Sequence, residues 1–462
     1  MLSLIRQIAA PRLAGVVPTI VCAVLCIMAS ASPAVAGGSV LLVRKTGLAA
    51  RDLAVIVNDR DPLSVTIGAY YEQRRAIPAR NVIHVSLPPD RDVISAAMFK
   101  DIQAVLNQAT PGNVQGYVLT WLKPYRVECM SITSAFAFGF SEDYCASGCR
   151  PTKRSPYFNS DSSAPYTDYG VRPTMTIAAH SLADAKALID RGVSSDDSMP
   201  AGTGYLVETT DGRRNVRARS YDAILHALGG EVKLRHIKYR YIKGKTDVLF
   251  YFIGATDVPY VDSNKFLPGA IADHLTSAGG MLGGSGQMNS LRWLQAGATG
   301  SYGAVVEPCN FPGKFPNPGV VIQRYVQGET LLEAYWKSVS MPGQGIFIGE
   351  PLARPFGGYS VSIAKGRYTL RTHSLRPGQY VVIGADTGVG PYSLVAKGID
   401  VGMGEQRITF PDAHKAVYAL AREDAVTPGG LRLGTVEIHL NAMANSHEAN
   451  PGPAALSRAP NG

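Results

Sequence analysis

The sequence predicts an α/β fold with a mostly parallel sheet and helices on both faces, followed by a smaller antiparallel β-sandwich. Up to residue 355, short apolar runs alternate with amphipathic helical segments, and after it the hydrophobic period changes to two. Hydrophobic residues make up 46% of the 462 residues and charged residues only 18%, so disorder is excluded for most of the chain. We therefore expect a packed α/β domain over residues 37–355 and a β-sandwich over residues 356–441.

The first 36 residues have the features of a secretory signal peptide. Arg6 and Arg12 precede an apolar run over residues 13–30, and Ala34-Val35-Ala36 has the small-x-small pattern of a cleavage site. An uncleaved membrane anchor is the alternative, because the run approaches the length that begins to span a bilayer. Cleavage would leave a mature protein that begins near Gly37, is periplasmic or extracellular, and keeps no membrane anchor.

The net charge of +9 becomes +7 once Arg6 and Arg12 are removed with this segment. That charge is mild, and we interpret it as spread over the chain rather than gathered into a basic stripe with interleaved aromatic residues. We therefore predict no nucleic-acid partner.

Residues 53–85 predict the first βαβ unit, in which an apolar run 53–57 precedes a helix 61–75 and a second run 82–85. Pro62 lies at the start of this helix and Ile77-Pro78 follows its end, as helix boundaries require. The later strands are predicted over residues 116–121, 175–179, 204–208, 248–253, 275–277, 302–306 and 346–348. The later helices are predicted over residues 94–107, 182–191, 216–228, 288–296 and 329–339.

An insertion is predicted at residues 131–172, where Ser, Tyr, Asp and Pro replace the regular alternation. Long loops within a compact domain are often binding or lid elements. A solvated decoration held by a disulfide is the alternative.

The cysteines fit an exported protein. Two of the six leave with the signal peptide, and an even number remains: Cys129, Cys145, Cys149 and Cys309. Of the three connectivities that four cysteines allow, we favour Cys145–Cys149 with Cys129–Cys309, because the first two share one short loop. A zinc site at Cys145 and Cys149 and a catalytic thiol at Cys129 or Cys309 are the alternatives.

The last hundred residues predict strands and no helices. Period-two alternation or short apolar runs occur at residues 368–372, 380–383, 394–401, 407–410, 417–420 and 436–440, separated by turn residues. Residues 442–462 have no period and are predicted to form a disordered tail.

Sequence motifs for nucleotides and metals do not support a cofactor. The chain has no Walker A sequence and no His-Glu-x-x-His, and residues 283–287 miss a Gly-x-Ser-x-Gly elbow by one position. Gly388-Val389-Gly390 lies in the β-rich part, where a Rossmann phosphate loop is not expected. We predict no cofactor and no metal.

Small and polar residues concentrate around the strand ends near residues 253 and 277. Because ligands of open α/β sheets bind outside the carboxyl ends of the strands, these residues are expected to face one crevice. The candidate catalytic residues are Ser277 or Ser285 as nucleophile, His274 as base, and Asp257 or Asp273 orienting it. The candidate binding residues are Gln287, Arg292 and Glu307. Alternatively, Asp273 and His274 only satisfy the backbone.

Several blocks of the sequence form a distinctive set: Asn58-Asp59-x-Asp61-Pro62-x-Ser64, Tyr70-Tyr71, Arg75-x-Ile77-Pro78, Asn81-Val82-Ile83, and the blocks at 131–139, 292–299 and 333–338. Together they resemble an uncharacterised family of secreted bacterial proteins found in genomes with the PEP-CTERM/exosortase sorting system. The resemblance spans nearly all of residues 50–355 and implies export, without implying a reaction.

The order of elements from residue 248 to residue 355 is similar to that of the gingipain-type, caspase-like peptidases. In those enzymes a His-Gly pair and a Cys end two neighbouring strands. Here Gly254-Ala255 and Ser277-Ala278 stand at the matching places, so the resemblance implies a caspase-like scaffold without the base and the thiol.

Two functions therefore compete. We favour a non-catalytic exported protein that binds an envelope protein or a glycan. The alternative is a hydrolase with a replacement Ser/His/Asp site. Activity as a cysteine peptidase is not expected, because that chemistry needs a thiolate held against an imidazole.

Overall fold

The structure is a computed structural model that describes residues 34–36, 39–43, 47–146, 148–387, 391–402, 404–423, 426–427, 430–433 and 436–438. Most of the predicted signal peptide, the glycine-rich segment 388–390 and the predicted tail 442–462 lie outside these residues. Within the described ranges, no helix is long and apolar enough to cross a membrane.

The strands in chain order are β1 (Ala34–Ala36), β2 (Ser39–Val43), β3 (Leu53–Asn58), β4 (Val82–Val85), β5 (Val93–Ile94), β6 (Gly116–Leu119), β7 (Arg126–Val127), β8 (Met130–Ser131), β9 (Thr174–Thr176), β10 (Thr203–Glu208), β11 (Lys233–Lys238), β12 (Val248–Gly254), β13 (Phe266–Leu275), β14 (Gly300–Ala304), β15 (Gly345–Gly349), β16 (Tyr359–Ala364), β17 (Arg367–Thr372), β18 (Gly378–Ala385), β19 (Ser393–Val401), β20 (Gln406–Pro411), β21 (Val417–Arg422), β22 (Val426–Thr427), β23 (Gly430–Leu433) and β24 (Val436–Ile438).

The α-helices are α1 (Pro62–Arg75), α2 (Ala96–Ala109), α3 (Ile132–Phe138), α4 (Pro165–Tyr169), α5 (Leu182–Ser195), α6 (Tyr221–Leu228), α7 (Leu291–Gln295), α8 (Pro318–Val326) and α9 (Leu331–Ser338). A 3₁₀ helix, Asn215–Ser220, precedes α6.

One large sheet dominates the fold, with strand order β11-β10-β12-β13-β14-β15-β9-β6-β3-β4. Neighbouring strands are parallel throughout except for the central pair β14 and β15, where Tyr302 lies opposite Phe347 in an antiparallel register. The prediction of a mostly parallel sheet is confirmed. The sheet consists of two parallel halves running in opposite directions, so their carboxyl ends lie at opposite edges.

Helices cover both faces of the sheet. Successive side chains of a strand point to opposite faces, and two neighbours on β12 contact different helices. The ring of Phe250 lies 6.2 Å from that of Tyr325 on α8, whereas the ring of Tyr251 lies 5.0 Å from that of Trp293 on α7. The side chains between the layers form the main hydrophobic core.

Side-chain caps mark the start of several helices. Asp61 accepts a hydrogen bond from the backbone of Leu63 and is followed by Pro62, as the sequence predicts for α1. Helix α9 begins with a capping box between Thr330 and Glu333. This helix is buried throughout, because it lies between the sheet and the segment that precedes it.

A buried ion pair joins α9 to Glu329, two residues before the helix begins. Lys337 Nζ lies 2.8 Å from Glu329 Oε1, and the two side chains are 0% and 5% exposed. The ammonium also lies 5.0 Å from the ring centroid of buried Tyr157, which belongs to the predicted insertion. This part of the insertion therefore packs into the body of the protein.

Several elements differ from the prediction. The strand predicted at 275–277 overlaps only the last residue of the longer β13, which is almost wholly buried. Strand β11 was not predicted because its charged residues give no apolar run, yet it pairs in parallel with β10 at the edge of the sheet. Helix α8 was also missed, although Asn317 caps it and Pro318 begins it.

The predicted insertion 131–172 is not all loop. Its first residues form α3, whose Ile132, Ala135 and Phe136 are buried in the main core. The sequence did not indicate this burial, because the Ser and Thr residues at the start of α3 suggest an exposed segment. The structure shows that they are buried too.

Smaller sheets follow residue 355. Strand β18 pairs with β19 and β21, and β17 with β16 and β20, all antiparallel. The rings of Tyr368 on β17 and Tyr418 on β21 lie 4.9 Å apart, so the two sheets contact through aromatic side chains. Strand β2 pairs in parallel with β21, whereas the prediction assigned residues 39–43 to the α/β domain.

The disulfide pairing favoured above is wrong. The structure pairs Cys129 with Cys145 and Cys149 with Cys309, with Cα atoms 5.7 and 5.1 Å apart. The 3₁₀ turn Glu142–Tyr144 stacks Tyr144 on Phe138 and thereby places Cys145 beside the β7–β8 turn. Closeness in sequence therefore did not decide the pairing.

Candidate functional site

The candidate crevice lies at the carboxyl ends of β10, β12 and β13, which are neighbours in the sheet. The loop after β10 crosses this edge. Thr209 Oγ1 donates a 2.7 Å hydrogen bond to the Gly254 carbonyl, and Arg214 Nε donates a 3.1 Å bond to Thr276 Oγ1. Polar groups from three strand ends are thus bonded to one another.

The loop leaves no room for a side chain at residue 254. A Cβ added to Gly254 would lie 2.1 Å from the carbonyl oxygen of Arg214. The space beside the end of β12 is therefore filled by the backbone of this loop.

His274 is buried, and both ring nitrogens have partners. Nδ1 accepts a 2.9 Å hydrogen bond from the indole N–H of Trp293, and Nε2 lies 2.9 Å from the Met288 carbonyl. Because an indole nitrogen only donates and a carbonyl only accepts, the ring is the neutral Nε2–H tautomer. Burial lowers the pKa of His274 to about 4, so the ring stays uncharged at neutral pH.

Asp273 points to the opposite face of the sheet from His274, since they are consecutive on β13. Arg217 Nη1 lies 2.6 Å from Asp273 Oδ1, and Arg217 Nη2 donates to the Ile253 carbonyl at 2.9 Å. Burial raises the pKa of Asp273, while the Arg217 guanidinium acts in the opposite direction. Asp273 therefore cannot orient the imidazole of its neighbour.

The serine candidates do not bond to His274. Ser285 Oγ donates to the Gln287 carbonyl at 3.2 Å, and Ser277 lies half-buried two residues after the end of β13. Gln287 Oε1 accepts hydrogen bonds from Thr276 Oγ1 at 2.8 Å and from the Ala278 amide at 2.9 Å. Gln287 thus ties the loop after β13 to the end of that strand.

Three candidates remain. Asp257 is exposed, and the Arg292 guanidinium pairs with Asp262. Glu307 Oε1 accepts a 2.7 Å hydrogen bond from the Cys309 amide, beside the Cys149–Cys309 disulfide. Arg292 and Glu307 thus contact different loops.

The alternatives for the cysteines have no geometric support. Cys129 and Cys309 are both in disulfides, so neither is a free nucleophile. Cys145 and Cys149 each bond to a different partner rather than sharing a metal. In the part of the chain that the structure describes, no group of three His, Cys, Asp or Glu side chains is placed to hold a metal ion.

The structure also has a cleft that was not predicted from the sequence. It has a volume of about 270 Å³ and lies at the carboxyl ends of β10 and β11, lined by Glu208, Thr209, Thr210, Lys238, Tyr239 and Arg240. His236 positions Glu208, the acidic residue of this lining. Its Nε2 lies 2.7 Å from Glu208 Oε2, and its Nδ1 lies 2.7 Å from Asp222 Oδ1.

The sequence contains a feature that could have indicated this cleft. Six of the thirteen residues from 233 to 245 are Lys or Arg and none is acidic, with Tyr239 and Tyr241 between them. The chain therefore does contain a basic segment with interleaved aromatic residues, which the modest net charge conceals.

No family model, no curated protein and no solved structure matches the chain.

Proposed function

We propose that the protein is an exported, non-catalytic binding protein whose partner is an envelope protein or a glycan. The observation that carries this proposal is the state of His274. Its ring is neutral, buried and bonded through both nitrogens, so it has no nitrogen left to accept a proton from Ser277 or Ser285. The replacement Ser/His/Asp hydrolase finds no support in this arrangement.

The scaffold is proposed to be caspase-like and related to the secreted family described above. The order of strands from β12 to β15 supports this, as does the placement of Gly254 and Ser277 at neighbouring strand ends. In this proposal the fold persists while Gly254 and Ser277 stand at the positions of the base and the thiol.

Export is supported by the disulfides, which persist in oxidising compartments, and by the leader-like first 36 residues. The two sheets that contact through Tyr368 and Tyr418 form the proposed β-sandwich.

The test is an activity assay of the mature, oxidised protein on a mixed peptide library and a panel of esters. We expect no turnover above that of a heat-unfolded sample. Turnover that disappears in Ser277→Ala or Ser285→Ala, but persists in Ser181→Ala, would overturn the proposal. Ser181 serves as the control because it only caps helix α5.

A further inference from the structure

Three tyrosines form an exposed cluster beside the cleft at the edge of the sheet. Tyr239 and Tyr260 are 58% and 57% exposed, the highest values among the large hydrophobic side chains in the described part of the chain. Tyr241 lies between them, with ring centroids 5.4 and 5.0 Å from theirs. Aromatic groups exposed to this extent and in contact with one another are typical of binding surfaces.

Cations surround this cluster. Lys238, Arg240 and Lys243 are exposed, and Lys243 Nζ lies 5.5 Å from the ring centroid of Tyr260. Lys245 and Lys265 are neighbours, because the Lys265 amide donates to the Lys245 carbonyl. Within the described residues, none of these five cations has a carboxylate oxygen within 4.0 Å. We call the five cations and three tyrosines the basic tyrosine surface.

Protection of the sheet edge does not account for this surface. Charged residues on an edge strand discourage pairing with other chains, and that explains Lys233 and Arg235 on β11. Most residues of the basic tyrosine surface instead lie at or beyond the last residue of β11, and Tyr260 and Lys265 come from the segment before β13.

We propose, building on the proposed binding function, that the basic tyrosine surface and the adjoining cleft bind an acidic polysaccharide whose sugar rings carry carboxylates. Lys238 and Arg240 form charge-assisted hydrogen bonds with the carboxylates. The tyrosine faces pack against the apolar faces of the sugar rings. Glu208, held by His236, accepts hydrogen bonds from sugar hydroxyls.

Glu208 also favours an acidic polysaccharide over DNA as the ligand of this cleft. A carboxylate on the wall of the cleft repels a phosphate backbone, and DNA offers that backbone no hydroxyl donors to compensate. A polymer that carries both hydroxyls and carboxylates satisfies Glu208 and the cations together.

The experiment is calorimetric titration of the mature protein with an oligogalacturonate and with its methyl ester, which has the same rings without charge. We expect the acid to bind at least about tenfold more tightly than the ester, and its affinity to fall with added salt. Lys238→Glu combined with Arg240→Glu, and separately Tyr239→Ala combined with Tyr260→Ala, should each weaken binding about tenfold or more.

The matched control is Arg91→Glu combined with Lys100→Glu, two exposed cations elsewhere that give the same change in net charge. It should change the affinity by less than about twofold. Equal loss in the control, equal binding of the ester, or tighter binding of oligothymidylate or anionic vesicles through the same residues would overturn the proposal. Absence of binding refutes only this inference, whereas shortening of the oligogalacturonate refutes the non-catalytic function.

Discussion

The indole N–H of Trp293 donates a 2.9 Å hydrogen bond to Nδ1 of His274. This single contact fixes the tautomer of the ring and links helix α7 to strand β13. It makes His274 a structural residue of the layer between the sheet and α7, with consequences for how stability depends on pH.

The first prediction concerns that pH dependence. The pKa of His274 is lowered by burial from an ordinary value of 6.5 to about 4, so between these values the unfolded chain takes up a proton that the folded chain does not. The free energy of unfolding should therefore fall as the pH decreases through this window, by about 3 kcal/mol from this residue. Urea unfolding at several pH values measures it.

His274→Gln removes the titrating group and should flatten this decline, although the variant is less stable at pH 8. His414 is exposed, so His414→Gln is the control and should leave the decline unchanged. A decline of the same size in all three proteins would contradict the assignment to His274.

The second prediction concerns the ion pair of Lys337 and Glu329. Lys337→Met leaves a buried carboxylate without its closest partner and should lower the free energy of unfolding by about 3 kcal/mol. Adding Glu329→Gln should recover part of this loss. Lys153→Met, which removes an exposed cation, should cost less than about 0.5 kcal/mol. Equal costs for the two single variants in chemical denaturation would show that the pair is not buried.

The third prediction concerns the disulfides. The unreduced protein should have no reactive thiol at Cys129, Cys145, Cys149 or Cys309, and peptide mapping should find Cys129 linked to Cys145 and Cys149 linked to Cys309. The sequence separations are 16 and 160 residues. If loop closure in the unfolded chain dominates, opening the longer link should cost about 5 kcal/mol, against about 3 kcal/mol for the shorter. A peptide linking Cys145 to Cys149 would contradict the structure.

The fourth prediction concerns the backbone at residue 254. Gly254→Ala should destabilise the protein by about 3 kcal/mol, because its Cβ would collide with the Arg214 carbonyl. Gly286→Ala is the matched control, since nothing lies within 4 Å of the added Cβ. Thermal unfolding of both variants measures the difference, and equal stabilities would mean that the loop after β10 moves aside freely.

The sequence predicts the buried strands and the capped helices of the α/β part well. β3 is a run of apolar and β-branched residues, and α1 carries Asp61 and Pro62 at its start, so local chemistry decides both. Strand β11 was not predicted, because its own residues give no apolar run. Its stability comes from pairing with β10.

The candidate site is less predictable for a related reason. The sequence marks residues 273–287 as unusual, but partners distant in the sequence decide what each side chain does. Trp293 for His274 and Arg217 for Asp273 come from separate elements, and no local spacing signals these contacts. The predicted disulfide pairing was wrong for the same reason. The observed pairing depends on the fold of residues 138–145 rather than on the spacing of the cysteines.

The parallel pairing of β2 with β21 joins the two ends of the chain in one sheet, with Val40 opposite Val417. Contacts between such distant residues form late in folding, because the intervening chain must first be ordered. A fragment that begins at residue 356 would therefore expose β21 as an unprotected edge and tend to self-associate. The β-rich region depends on β2, which is distant from it in the sequence, so loss of either β2 or β21 should damage the same sheet.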